Sequence, residues 1–234
     1  MRKINVAQIA VFLILLSTAV IASVATTGVL LGSMPLGDFR GVVLLLAAVV
    51  FLYVHAIAVY RLFLWAFPLR PGEIAPDSPQ EFVYHVYILF FLILFYPVIR
   101  SGVLPTPLAR LFFIALGAKL GRNTYSQGIL HDPPFVDIGT DSVVGQSALL
   151  IPHVIEGERL AHYPIKIGDH VTVGANAVIL SNVVIEDRAI IAVGAVVPKG
   201  SRIGAGEVWG GVPARCLERK ERSGRANLNR AESG

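Results

Sequence analysis

Charge is scarce in this chain. Only 15% of its 234 residues are Asp, Glu, Lys or Arg, while 54% are hydrophobic; an ordinary soluble domain carries roughly 25% charged residues. The deficit is local, because residues 4–31 hold no charged side chain and neither do residues 41–60. Cysteine is almost absent. Cys216 stands alone, which excludes an intramolecular disulfide and is compatible with a reducing compartment. A clustered basic face is missing too. The net charge is +4, but the basic residues are scattered at the borders of apolar runs and in the tail, so no nucleic-acid partner is expected.

Each uncharged run is long enough to cross a bilayer, which takes about 20 helical residues. Arg2 and Lys3 before the first run suggest a signal peptide, but the run is about twice the usual length of such a segment and a second run follows closely. Two transmembrane helices are therefore expected, near 5–31 and 40–67. The loop between them (GSMPLGDFR) contains Gly, Pro and Asp and suits a tight hairpin. Arg2 and Lys3 precede the first helix, and Arg61 and Arg70 end or follow the second, so both ends of the hairpin should face the cytoplasm. A third run of 18 residues, Phe82–Ile99, is dense in aromatics and holds His85 and Pro97. By length it could span, re-enter or lie at the interface. His55 and His85 are read as packed or headgroup-level side chains.

What the second half has is a period of six. Ile167, Val173, Ile179, Ile185, Ile191, Val197, Ile203 and Trp209 keep one register without a miss. Small residues recur four places on, at Val171, Ala177, Val183, Ala189, Ala195 and Ser201. Six matches neither the helical 3.6 nor a simple strand alternation. It is the period of a hexapeptide β-helix, in which short strands wind into stacked coils. Upstream the register runs through Leu120, Ser126, Asp132, Ile138, Val144 and Leu150; Ser126 and Asp132 are poor inward residues, so an irregular first coil is expected. Three hexads make one coil, giving about five coils over 120–214. The glycines after the inward positions, Gly168, Gly174 and Gly204, read as structural, since only small residues fit tight corners. Leu108–Gly117 reads as a short helix docking on the first coil.

The register breaks once. Seventeen positions separate Leu150 from Ile167, so one or more faces should give way to a loop near Ile151–Pro164. Insertions in a solenoid map to loops at its binding face.

The stretch IGDHVTVGANAVILSNVVIEDRAIIAVGAVVPKG, followed by GGVPAR, resembles the hexapeptide-repeat acyltransferases, such as the galactoside, maltose and serine acetyltransferases. The resemblance covers about 118–220 and leaves out the apolar half. It implies a mainly β fold, a left-handed parallel β-helix, against the usual right-handed crossover preference. It also implies a homotrimer and acyl-CoA, most simply acetyl-CoA, held in a groove between neighbouring subunits, with no metal.

In such enzymes a histidine at the start of the extended loop is the general base, and here His153 matches it. Histidine suits the task because it titrates near neutrality. His131 would orient the acceptor or share the proton transfer. Asp132, Gln127 and His162 are the acceptor-binding candidates; Gln127 stands where the sugar acetyltransferases carry Asn. His170 lies within a coil turn and reads as an ordinary outward residue. For the donor, the matching positions are Gly174, Ala175, Val193, Gly194, Pro198 and Lys199. The Ala175 N–H is the candidate oxyanion donor, and Arg215 and Arg219 are candidates for the CoA phosphates.

The organisation expected is a membrane domain over 1–105, a connecting helix over 106–119, the repeat domain over 120–216, and a cap and flexible tail over 217–234. A donor in the cytosol requires the repeats to stay inside, so a re-entrant or interfacial segment is expected over 82–100. The resulting expectation is an integral protein of a bacterial inner membrane, in contact with lipid, with its β-helix in the cytoplasm. A non-enzymatic β-helix scaffold is the alternative. A γ-class carbonic anhydrase needs three His ligands, and the spacing of His153, His162 and His170 does not match that family.

Overall fold

The computed structural model describes residues 3–218. Arg219 and the rest of the expected tail lie outside the described residues. The chain divides into two compact units: Met1–Ala118 with Pro133–Phe135 and His153–Tyr163, and the remainder.

The first unit starts with helices α1 (Val6–Leu31) and α2 (Arg40–Ala66), within a residue of the expected spans. Asn5 and Gln8 cap α1 reciprocally: the Gln8 N–H donates to Asn5 Oδ1 at 2.9 Å and the Asn5 N–H donates to Gln8 Oε1 at 2.7 Å. Side-chain polar groups tie the pair together. Ser23 Oγ donates to the Ala48 carbonyl at 2.6 Å, and Thr26 Oγ1 lies 3.4 Å from His55 Nε2.

After a short strand, β1 (Gly72–Glu73), comes α3 (Pro79–Phe90), a single π-helical turn (Phe91–Phe95) and α4 (Tyr96–Ser101). Pro97 lies in the first turn of α4, where its missing N–H costs least. The described residues hold three helical segments long and apolar enough to cross a membrane: α1, Gly37–Ala66 and Pro79–Ser101. Helix α5 (Thr106–Leu116) follows. The core of this unit is aromatic, with Phe12, Tyr60, Tyr87, Phe90, Phe91 and Phe95 buried together with Leu116 and Leu160.

The second unit is a parallel β-helix built from three sheets of stacked short strands. One sheet holds β2 (Lys119–Leu120), β5 (Val136–Ile138), β10 (Ile165–Ile167), β13 (Val184–Ile185) and β16 (Arg202–Ile203). The next holds β3 (Tyr125–Ser126), β6 (Val143–Val144), β11 (Thr172–Val173), β14 (Ile190–Ile191) and β17 (Val208–Gly211). The third holds β4 (Ile129–Leu130), β7 (Leu149–Leu150), β12 (Val178–Ile179) and β15 (Val196–Val197). The fifth coil lacks its third face. Strand β18 (Ala214–Glu218) instead folds back antiparallel on β17 and closes the stack.

The inward slots are those the period indicates: Ile138, Val144, Leu150, Val173, Ile179, Ile185, Ile191, Val197 and Ile203 are each at most 1% exposed. Fully burying one such side chain stabilises by about 1.5–3 kcal/mol. Two expectations need correction. In the first coil the third inward strand is β4, with Leu130 paired to Leu150, so Asp132 is displaced from the inward slot. Asp132 is buried nonetheless, with φ +45°. Second, no face is lost at the break. The 17 positions from Leu150 to Ile167 are one six-residue step plus the insertion His153–Tyr163.

The corners show a second six-residue rhythm that the hydrophobic pattern hides. The third residue after the inward one takes a left-handed φ at Asn123, Asp141, Ser147, His170, Asn176, Asn182, Arg188, Gly194, Gly200 and Gly206. Asn and Asp tolerate this region better than most residues. His170 is accounted for by this corner duty; its N–H donates to the Thr140 carbonyl of the preceding coil at 2.9 Å.

Candidate active site

The insertion is an ordered hairpin. Strands β8 (His153–Glu156) and β9 (Arg159–His162) pair antiparallel around a two-residue loop whose first position, Gly157, has φ +61°. β1 adds a third strand, with Gly72 opposite His162 and Glu73 opposite Ala161. This matters because an isolated two-stranded hairpin is marginal in water. Glu73 reinforces the edge: Oε1 accepts from Arg159 Nε at 2.9 Å, from Arg159 NH2 at 2.6 Å and from Tyr163 Oη at 2.7 Å. The hydrogen bond to Glu73 raises the Arg159 pKa above its ordinary value, with Tyr163 contributing.

His153 opens this hairpin. It stands third after Leu150, the slot in which ten regular corners turn left-handed. Here the chain leaves the coil instead. His153 is half-buried and directly opposite His162 across the strands. His162 is fully buried, stacked on Phe135 with ring centroids 4.6 Å apart and 5.3 Å from Tyr84. It is a packing residue in this arrangement, with no surface open to an acceptor.

In the repeat unit the other candidates separate onto two edges. Along the edge that follows the second sheet, Gln127, Gly145, Gly174–Ala175 and Val193–Gly194 occupy successive coils. The Gln127 N–H donates to the Val144 carbonyl at 3.0 Å, Gly174 N–H to Ile191 at 2.8 Å and Gly194 N–H to Ala175 at 2.9 Å. Glycine is required at two of these positions. A Cβ at Gly174 would lie 2.6 Å from the Val193 nitrogen, and one at Gly145 would lie 2.6 Å from the Ala175 nitrogen.

The edge that follows the third sheet carries His131, Ile151 and, further along, Pro198–Lys199. The His131 N–H donates to the Leu150 carbonyl at 2.9 Å and the Ile151 N–H to Ile179 at 2.9 Å. From Ile151 the chain leaves through Pro152 to His153. Asp132 follows His131 and is buried, while Lys199 is exposed. Arg215 is exposed on β18, opposite Gly210. Among the described residues no three His, Cys, Asp or Glu side chains gather into a metal-binding group.

Glu73, Arg159 and Tyr84 were not foreseen as parts of this site. No local motif marks them, since Glu73 and Tyr84 meet the hairpin, and Arg159 meets Glu73, only through long-range contacts.

Comparison with known proteins follows the same division. Residues 164–199 match the model described as bacterial transferase hexapeptide (six repeats). A curated relative, the delta-poly-L-ornithine synthetase of Acinetobacter baumannii, is 30% identical over 123 residues, 51% of this chain. The match spans only 9% of that relative's length. Among solved structures, a hexapeptide-repeat acetyltransferase of Vibrio cholerae complexed with acetyl-coenzyme A aligns over 55% of this chain and 90% of its own, at 18% identity and a TM-score of 0.42. A galactoside acetyltransferase in complex with coenzyme A aligns over 80% of this chain and 84% of its own, at 17% identity and 0.41. A maltose O-acetyltransferase of Clostridium difficile aligns over 54% and 84%, at 19% and 0.38. The second unit of the chain thus carries the bacterial transferase hexapeptide repeat.

Proposed function

We propose that the protein is a membrane-anchored, acyl-CoA-dependent acyltransferase, acetyl-CoA being the simplest donor, which acylates a hydroxyl or amine. The observation that carries this reading is the position of His153: the first residue of the one ordered insertion in an otherwise regular solenoid.

His153 accepts the proton of the acceptor hydroxyl or amine as its oxygen or nitrogen attacks the thioester carbonyl. The Ala175 N–H donates to the resulting oxyanion. Collapse of the tetrahedral intermediate breaks the carbon–sulfur bond, and the CoA thiolate takes the proton from the His153 imidazolium. Gly174, Val193 and Gly194 offer backbone to the pantetheine arm. Pro198, Lys199 and Arg215, with Arg219 beyond the described residues, serve the nucleotide end of the donor, and His131 and Gln127 serve the acceptor.

The division of these candidates between two edges supports a homotrimer of left-handed β-helices. In that trimer the His131–Ile151 edge of one protomer meets the Gly174–Gly194 edge of the next across a groove between neighbouring subunits. The two hairpin helices hold the trimer at the cytoplasmic face of a bacterial inner membrane, beside a membrane-associated acceptor.

Turnover with labelled acetyl-CoA and a membrane extract tests the reading. His153→Ala should keep acetyl-CoA binding and lose turnover by about 10²–10⁴-fold, the usual share of a general base. Wild-type turnover in that variant would sink the assignment. No acetyl-CoA binding by the unaltered protein would favour a scaffold.

A further inference from the structure

Helix α5 has two apolar faces but packs only one of them. Phe113 and Leu116 are buried, Phe112 meets Phe95 edge-to-face with ring centroids 6.0 Å apart, and Tyr60 Oη donates to the Leu116 carbonyl at 3.2 Å. On the opposite side Leu108, Leu111 and Ile114 are exposed, Leu111 by 57%. These recur at three-residue steps and form one stripe. Val103, in the link before the helix, is 78% exposed, and Leu92 and Ile93 on the preceding segment are each 52% exposed.

The path of the chain explains where this stripe lies. Tyr60 packs on Phe90 and Phe95 before the turn, and on Leu116 after it. Six positions separate Phe95 from Ser101, and six separate Thr106 from Phe112. Between them lie only Gly102–Pro105, a link that reaches at most about 14 Å. Gly102 ends α4 in a left-handed conformation, φ +68°. The two arms are thus equal, and α5 brings the chain back to the level from which α4 left. A segment that crossed and stayed across would not return to Tyr60.

Charge fits the same environment. No Asp or Glu occurs between Glu81 and Asp132, whereas Arg100, Arg110, Lys119 and Arg122 do. Arg100 is exposed beside the link. An apolar stripe flanked along the sequence by basic and not acidic residues is what the boundary between acyl chains and anionic headgroups favours.

We infer that α4, the Gly102–Pro105 link and α5 form a re-entrant elbow whose exposed stripe is seated in the lipid bilayer. The connection from the helices to the β-helix is then itself a membrane-binding element. This rests on the membrane location proposed above.

The test uses the full chain with its native thiol removed (Cys216→Ser), reconstituted in phosphatidylcholine–phosphatidylglycerol vesicles. Single cysteines at Leu111, Val103, Ile14 and Thr172 carry an environment-sensitive dye. Ile14 is an exposed position of α1 and Thr172 an exposed strand position of the repeats. Leu111 and Val103 should resist an aqueous quencher by about tenfold or more relative to Thr172, as groups in hydrocarbon do, and should be quenched by lipid-borne quenchers. Aqueous quenching at Leu111 with protection at Ile14 overturns the elbow and leaves the membrane location standing. Aqueous quenching at both overturns the membrane location as well. Protection at Leu111 from both quenchers, with crosslinking between copies, assigns the stripe to a second copy of the chain and overturns the elbow's contact with lipid.

Discussion

His153 and His162 are direct cross-strand partners in one hairpin, the first half-buried and the second fully buried against Phe135. Direct partners point to the same face of a sheet, with Cβ atoms about 4.5–5.5 Å apart. The stacked ring of His162 therefore fixes the strand beneath the proposed base. β1 and the Glu73–Arg159 ion pair, with N···O 2.6 Å, hold the far side of the same strand.

This arrangement separates the proposed base from a packing histidine. His162→Phe preserves an aromatic ring against Phe135 and should keep turnover within about threefold, as an approximately volume-conserving swap does. His153→Phe cannot accept a proton and should lose about 10²–10⁴-fold. Steady-state turnover of the two variants with saturating acetyl-CoA decides. Equal losses would mean that His162 is more than a packing residue or that His153 is less than a base.

The two-edge division makes a prediction about mixed assemblies. His153→Ala and Gln127→Arg alter different edges, so in the proposed homotrimer either variant alone spoils every groove. Co-expressed subunits assemble some grooves in which both edges are intact. Purified mixed trimers should turn over well above either parent. If the mixture never exceeds the weighted parents, both edges serve a site within one subunit.

How much of this was legible follows from which interactions are local. The inward register was readable because each hexad places one large side chain in the core, with a compact one four places on, and Ile179 or Val197 obeys that rule regardless of its neighbours. The first coil was misread at Asp132 because Leu130 takes the inward slot, with Pro133–Phe135 absorbed elsewhere. The hairpin could not be read from its own residues. Its third strand is Gly72–Glu73, some ninety positions away, and long-range pairing leaves no periodic mark. The left-handed corners had a mark that the hydrophobic register overshadows: Asn176 and Asn182, then Gly194, Gly200 and Gly206, follow the inward residues by three.

Gly174 gives a sharp stability prediction. A methyl group there would lie 2.6 Å from the Val193 nitrogen and 2.8 Å from the Ile191 oxygen, both backbone atoms of the next coil. Backbone in a stacked coil cannot rotate aside as a side chain could. Gly174→Ala should therefore destabilise by about 1–3 kcal/mol, the usual cost of overpacking. The denaturant midpoint of the detergent-solubilised protein measures it. An unchanged midpoint would show that the coils can separate locally.

Asp169 supplies the pH prediction. Its Oδ1 accepts the Thr140 N–H of the preceding coil at 2.6 Å, and that hydrogen bond lowers its pKa below the ordinary carboxylate value. A carboxylate depressed in the folded state binds its proton more readily when unfolded. Its stabilising contribution is thus complete above the unfolded pKa, about 3.9, and is lost as pH falls through the lower folded value. Asp169→Asn removes the titrating group while leaving an oxygen to accept the same bond. The unaltered protein should lose more stability between pH 6 and pH 3, taken as about two units above and one below that pKa, than the variant does. Urea midpoints at the two pH values provide the comparison. Parallel losses would mean that groups other than Asp169 carry the acid sensitivity of the coil.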